Sequence, residues 1–244
     1  MSFKDYCRRV LNEETDIISV KAKLDAKKRG LKHQSHNVWK DKGGQEYKWN
    51  KVLKRFERIE NKNKEKHFEF TGKTKNLSNG TVLHQIRATK NLPMHNIKKE
   101  DVGGWIGNPE NLSDNAWVSD NAWVYEDAQV YGNAKVSGNT WVSGKAQVSG
   151  NAQVSDNAWV SGNAQVSGNT WVSGDARVSG KAWISGDAQV SGNAKITGKA
   201  QVYGNAIVSG KAWVSGNAQV SGKAWVSGDA RVSGNEKINT GEYK

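Results

Sequence analysis

The 244-residue chain has one cysteine, Cys7, so no disulfide can form within it. No apolar run approaches the ~20 residues that a membrane-spanning helix needs. The opening residues, Met1-Ser2-Phe3-Lys4-Asp5, lack the apolar core of a secretion signal. These absences predict a cytoplasmic protein with no membrane contact. No glycine recurs at every third position, which excludes a collagen-like triple helix. The dominant period is six, neither a heptad nor a helical turn, which excludes a coiled coil. Histidine is missing from residues 96–244. The chain shows no phosphate-cradling glycine loop, paired-carboxylate site or metal-ligand cluster. His33 and His36 share an i, i+3 spacing, but without a third ligand at a matching offset they read as surface histidines. The expectation is a protein with no catalytic residues, no cofactor and no metal.

What is present is a hexad. From Ile106 to Ile238 an aliphatic residue recurs every six positions without a slip. Each is followed by a near-constant unit, as in Val148-Ser149-Gly150-Asn151-Ala152-Gln153. A fixed short period implies stacked, nearly identical units rather than a globular core. Val favours a strand, and Gly-Asn, Gly-Lys or Gly-Asp favours a tight corner. In Ala152-Gln153-Val154, strand alternation sends Ala152 and Val154 inward and Gln153 outward. Asp120, Glu126 and Asp156 replace the corner glycine, so that corner tolerates an acidic side chain.

This hexad resembles that of the hexapeptide-repeat, left-handed parallel β-helix superfamily, in which three hexads close one triangular coil and residues 18 apart stack. The resemblance implies a mainly β fold. The 22 hexads from Leu112 to Ile238 make about seven coils, a rod on the order of 35 Å long at roughly 4.8 Å per coil. The predicted organisation is a helical domain over 1–64, a strand-containing junction and N-terminal cap over 65–111, the β-helix over 112–238 and a C-terminal tail over 239–244. Glu236, at an inward position, should stop another coil. In the junction, Thr81–Ala88 reads as a strand that precedes Val102-Gly103-Gly104-Trp105-Ile106-Gly107. This run is similar to the lead-in of phage and prophage hexapeptide-repeat proteins of undefined function, although Gly107 stands where that group typically has an acidic residue. The resemblance spans roughly residues 80–238.

Sorting the outward positions by 18 gives three faces. One carries Trp123, Trp141, Trp159, Arg177, Lys195, Trp213 and Arg231. Another is largely amide, with Gln129, Gln147, Gln165, Trp183, Gln201, Gln219 and Lys237. The third mixes Trp117, Lys135, Gln153, Trp171, Gln189, Ile207 and Trp225. Aligned aromatics interrupted by cations mark a contact surface. The partner is either another protein or a sister subunit of a homo-oligomer, a trimer being common in the superfamily. The competing reading is that the Trp rings only stack on one another and stiffen the rod. Regular Thr ladders of the ice-binding kind are absent.

The charge is unevenly placed. Residues 1–104 carry 25 Lys and Arg against 13 Asp and Glu, the whole of the net +12, whereas residues 105–244 carry 11 of each sign. Three helices are predicted in the basic segment. The first follows Ser2, with Phe3, Tyr6, Cys7, Val10 and Leu11 at helical spacing. The second follows Thr15 and stops at Gly30. The third spans about Gln45 to Asn61, with a stripe of Trp49, Val52, Leu53, Phe56 and Ile59. Lys21, Lys23, Lys27, Lys28, Arg29 and Lys32 on one stretch, and Lys48, Lys51, Lys54, Arg55 and Arg58 on another, could neutralise phosphates. An acidic macromolecule (nucleic acid or nucleoprotein) is one expected partner of this head; a host protein, or service as a plain cap, is the alternative.

These readings combine into a non-enzymatic binding protein. If phage-borne, it would be an inhibitor of a host nucleic-acid-targeting defence complex. A virion or tail component is the rival from another class. The superfamily also implies an acyltransferase alternative, for which His84 and His95 are the only candidate bases near the first coil.

Overall fold

The computed structural model describes residues 66–244 in full, and before them the backbone of four short strands. The chain divides into two compact units, Met1–Glu65 and Lys66–Lys244.

In the first unit, β1 (Lys32–Ser35), β2 (Val38–Lys40), β3 (Glu46–Asn50) and β4 (Arg55–Arg58) form an antiparallel meander. This corrects the helix expected over 45–61. Tyr47 and Trp49 alternate with Glu46, Lys48 and Asn50, the period of a strand, and the register pairs Trp49 with Phe56. The apolar residues of this stretch satisfy helical spacing as well, and a short run cannot separate the two periods. The two helices expected within 1–30 lie outside the described residues.

The second unit opens with β5 (Phe68–Asn76), β6 (Val82–Ala88) and β7 (Val102–Ile106), paired antiparallel in that order. β7 then pairs parallel with Trp123–Val124 through Trp105 and Ile106. It is therefore both the last strand of the cap and the first strand of a parallel β-solenoid. Two glycines permit this. A Cβ on Gly103 would meet the Val118 carbonyl oxygen at 2.6 Å and the Trp117 ring at 2.8 Å; one on Gly104 would meet the Ala122 carbonyl oxygen at 2.7 Å.

From Trp117 onward each hexad contributes a two-residue strand, and strands three apart in sequence order pair in parallel. From Trp105 to Ile238 residues 18 apart are register partners, as in Gln153 with Trp171 and Val154 with Val172. Three parallel sheets result, making about eight turns. The expected seven coils omitted the turn that β7 opens. Adjacent coils are tied by backbone bonds of one kind, such as Gln147 N–H to the Ala164 carbonyl and Ser149 N–H to the Val166 carbonyl, both 2.9 Å. Inside, the Val and Ala rows are fully buried from Val118 to Val226. Each apolar contact is small, and stability is a sum over neighbouring coils.

Corner glycines hold φ between +60° and +79°, the left-handed region. Asp120, Glu126 and Asp156 adopt it too, at 58°, 58° and 63°. Each carboxylate accepts from the backbone N–H of the corner residue one coil on: Gly138 at 3.0 Å, Gly144 at 2.6 Å and Gly174 at 2.9 Å. The acidic side chain thus offsets its backbone cost with a charge-assisted hydrogen bond.

At the cap, Asn111 is buried and its amide donates to the carbonyls of Glu126 and Ala128 at 2.9 and 2.7 Å. This replaces the coil-to-coil bonds where the turn Pro109–Asn111 stands in for a corner. At the other end Glu236 is exposed at its inward position, and Glu242–Tyr243 pairs with Trp225–Val226. Among the described residues no helix is long and apolar enough to cross a membrane.

Candidate binding face

Stacking by 18 brings Trp123, Trp141, Trp159, Arg177, Lys195, Trp213 and Arg231 into one continuous row, each the register partner of the next. The row begins one rung earlier, at Trp105. The indoles of Trp123 and Trp141 are parallel, with centroids 5.1 Å apart, and Trp159 meets Trp141 edge-on at 5.3 Å. Cations close both ends of this aromatic stretch. Lys75 of β5 lies 4.1 Å over Trp105, and the Arg177 guanidinium lies 5.8 Å over Trp159. The same contact recurs further along, with Arg231 over Trp213 at 5.8 Å. Such pairs are worth about 0.5–1 kcal/mol at exposed sites.

Beside this row runs a second, from the corner position two residues before each strand residue: Asn157, Asp175, Asn193, Lys211 and Asp229. The two rows enclose an open groove of about 850 Å³ from Trp159 to Arg231. At its N-terminal end the corner row is a relay of amides. Asn121 donates to Asn139, Asn139 to Asn157 and Asn157 to Asp175, at 3.3, 3.2 and 3.0 Å. A carboxylate accepts but cannot donate, so the relay ends at Asp175. A parallel relay on another corner ends likewise at Asp187.

The groove cations form no ion pair among the described residues. Among the described residues the ion pairs within 4 Å join Arg87 to Glu69 and Glu100, and Lys244 to Glu242. None involves Arg177, Lys195, Lys211 or Arg231.

The structure separates the outward Trp residues that spacing had grouped together. Trp117 is fully buried, not outward-facing, and its indole nitrogen has no partner. The cap covers it: the His67 ring lies 6.4 Å away and Gly103 packs against the indole edge. Trp171, Trp183 and Trp225 are exposed on the other two faces, without an aromatic neighbour among the described residues. Reasoning from the sequence missed the corner row, although stacking the position two before each strand residue would have revealed it. It also missed Lys75, whose place depends on an antiparallel register that no repeat encodes.

Of the basic head, Lys32, Lys48, Arg55 and Arg58 fall on β1, β3 and β4. Lys21, Lys23, Lys27, Lys28, Arg29, Lys51 and Lys54 lie outside the described residues. The candidate bases sit in the cap. The His84 ring stacks on Phe70 at 4.8 Å, and His95 Nε2–H donates to the Asn115 carbonyl at 2.8 Å. His67 is buried, with Nε2–H donating to the Ala116 carbonyl at 2.7 Å. Burial lowers the pKa of both His67 and His95, partly opposed by those carbonyls, which favour the charged ring. Among the described residues no group of three or more His, Cys, Asp or Glu is placed to hold a metal ion.

The repeat pattern of a family described as YdcK Beta solenoid repeat matches residues 128–144, 146–162, 152–168, 171–186 and 200–216. The chain carries β-solenoid repeats. The matched segments include Trp141, Trp159, Arg177 and Trp213, and leave out Trp123, Lys195 and Arg231. No curated protein matches the chain.

Proposed function

We propose that this chain is a non-enzymatic binding protein whose contact surface is the groove between the Trp/cation row and the corner row. The observation that carries this reading is the set of unpaired cations, with Arg177, Lys195 and Arg231 held in line with half-exposed indoles and Lys211 in the corner row beside them. Four cations outnumber the two carboxylates of the groove, Asp175 and Asp229, and form no ion pair with them, which favours an anionic partner, and exposed aromatics mark where apolar area is to be covered. The surplus of positive charge over residues 1–104 works in the same direction, by attracting the same partner at long range. The partner class is an acidic macromolecule, a nucleic acid or nucleoprotein. The solenoid is left-handed, and the protein acts in the cytoplasm. For a phage-borne chain that target lies in the host's nucleic-acid-directed defence. Association into a homo-oligomer through the other Trp-bearing faces is compatible with this arrangement.

The test is capture from host lysate, with and without nuclease, by three full-length proteins. One is unaltered, one carries Arg177→Ala, Lys195→Ala and Arg231→Ala, and one carries glutamate at Lys21, Lys23, Lys27 and Lys28. A nuclease-sensitive partner lost from the groove variant supports the reading. A partner retained by the groove variant and lost from the head variant refutes it.

A further inference from the structure

The hexad hides a longer repeat. Residues 157–180 and 211–234 are the same sequence except for Asn157 and Lys211, Asn169 and Lys223, and Thr170 and Ala224. The offset of 54 residues is three coils, so both copies lie at the same position around the solenoid, separated along it by about 14 Å at roughly 4.8 Å per strand. Each copy contributes a Trp, the Arg one rung later and the Asp two residues before that Arg. One set is Trp159, Arg177 and Asp175; the other is Trp213, Arg231 and Asp229. The guanidinium lies 5.8 Å over the indole in both. Both sets line the one groove, with Lys195 and Lys211 between them.

Each part of the set constrains the ligand. Four unpaired cations against two carboxylates favour a polyanion. Indole and guanidinium planes favour ligand groups with flat π faces, which a duplex keeps stacked inside and a single strand exposes. The carboxylates discriminate further. They repel phosphate, so they are suited to a ligand that also carries N–H donors. Asp175 accepts from Asn157 at Oδ1, which leaves Oδ2 for such a donor. Among nucleobases, cytosine, adenine and guanine offer an exocyclic amine to a carboxylate, whereas thymine offers only its ring N–H. A polyphosphate has neither flat faces nor N–H donors and would leave the Trp and Asp residues without a role; a polyuronate, with C–H faces and hydroxyl donors but no π faces, is separated by competition.

We infer that the groove binds single-stranded nucleic acid along the solenoid. The Trp159–Arg177–Asp175 and Trp213–Arg231–Asp229 sets take amine-bearing bases, and Lys195 and Lys211 contact the phosphates between them. This rests on the reading of the groove as the contact surface.

The test is fluorescence anisotropy with labelled oligodeoxycytidylate and oligodeoxythymidylate at two salt concentrations. The proteins are the full chain, Trp159→Ala/Trp213→Ala and Asp175→Asn/Asp229→Asn, each checked for an unchanged melting transition. The unaltered chain should bind the cytidylate about tenfold more tightly. Loss of both indoles should weaken binding about thirtyfold or more, the low end of the range for losing two stacked bases. The Asn pair should abolish the cytidylate preference and retain most of the affinity, since Asn is native on this row at 157 and 193. Equal binding of both oligonucleotides by all three proteins would overturn the inference and assign the affinity to the basic head. Displacement by a polyuronate at charge concentrations that leave an unlabelled cytidylate ineffective would also overturn it. If the indole variant loses its lysate partner while oligonucleotide binding is unchanged, the groove remains a contact surface and only the ligand class falls.

Discussion

The carboxylate of Asp156 accepts a hydrogen bond from the backbone N–H of Gly174, 2.9 Å away and one coil along. Asp156 holds φ at 63°, in a place where most hexads supply glycine. Replacement by glycine removes the bond and the backbone cost together, so Asp156→Gly should leave stability nearly unchanged. Asp156→Ala keeps the cost and loses the bond, and should destabilise by about 1–2 kcal/mol. Urea unfolding of the two variants side by side checks the contrast.

Corner glycines differ in how much a side chain would cost. A Cβ on Gly168 would lie 2.6 Å from the Gly186 carbonyl oxygen, at φ +79°. Gly234 has φ +62° and nothing within 4 Å. Gly168→Ala should therefore destabilise by about 3 kcal/mol, from strain plus overpacking, and Gly234→Ala by about 1 kcal/mol, from strain alone. Thermal melts would rank them, and equal effects would contradict the reading.

Two threonines occupy the inward alanine position and are buried. Thr140 Oγ1 donates to the Ser137 carbonyl at 2.6 Å; Thr170 Oγ1 has no partner. Both lose a buried methyl on replacement by alanine, but only one loses a hydrogen bond and only one sheds an unsatisfied hydroxyl. Thr140→Ala should be the more destabilising by about 1–2 kcal/mol.

The cap should carry a pH dependence. Burial depresses the pKa of His67 and His95 below the ordinary histidine value, so both favour the neutral ring when folded. The unfolded chain takes up protons near pH 6.5. Stability is therefore full above that value and falls as pH drops from it towards the folded pKa values. Melting between pH 8 and 5 should show this decline, and His67→Gln should flatten it. A rise in stability on acidification through this range would contradict the assignment.

The solenoid was legible because each of its determinants is local. The Val and Ala periods and the corner glycines follow from one hexad, and the resemblance to the hexapeptide-repeat superfamily implied the 18-residue stacking of Trp123 to Arg231. What escaped the sequence depends on unrepeated segments. Trp117 fits the outward pattern, yet lies under a cap whose antiparallel register comes from irregular residues, and the same register brings Lys75 over Trp105. Residues 45–61 satisfy two periods at once, and cross-strand pairing of Trp49 with Phe56 decides for strands. The groove fell between these cases. Its Trp/cation row was found by sorting outward positions, whereas its corner wall needed the same sorting two residues earlier.

Hydroxyl-radical footprinting of the full chain, alone and with a short oligodeoxycytidylate, tests the groove most directly. Exposed Trp side chains on the other two faces provide the internal control. The expected result is protection of Trp159 and Trp213, with Trp171, Trp183 and Trp225 as reactive as in the free protein. Protection of the control residues, or protection confined to residues 1–65 with Trp159 and Trp213 unchanged, would contradict the groove as the contact surface.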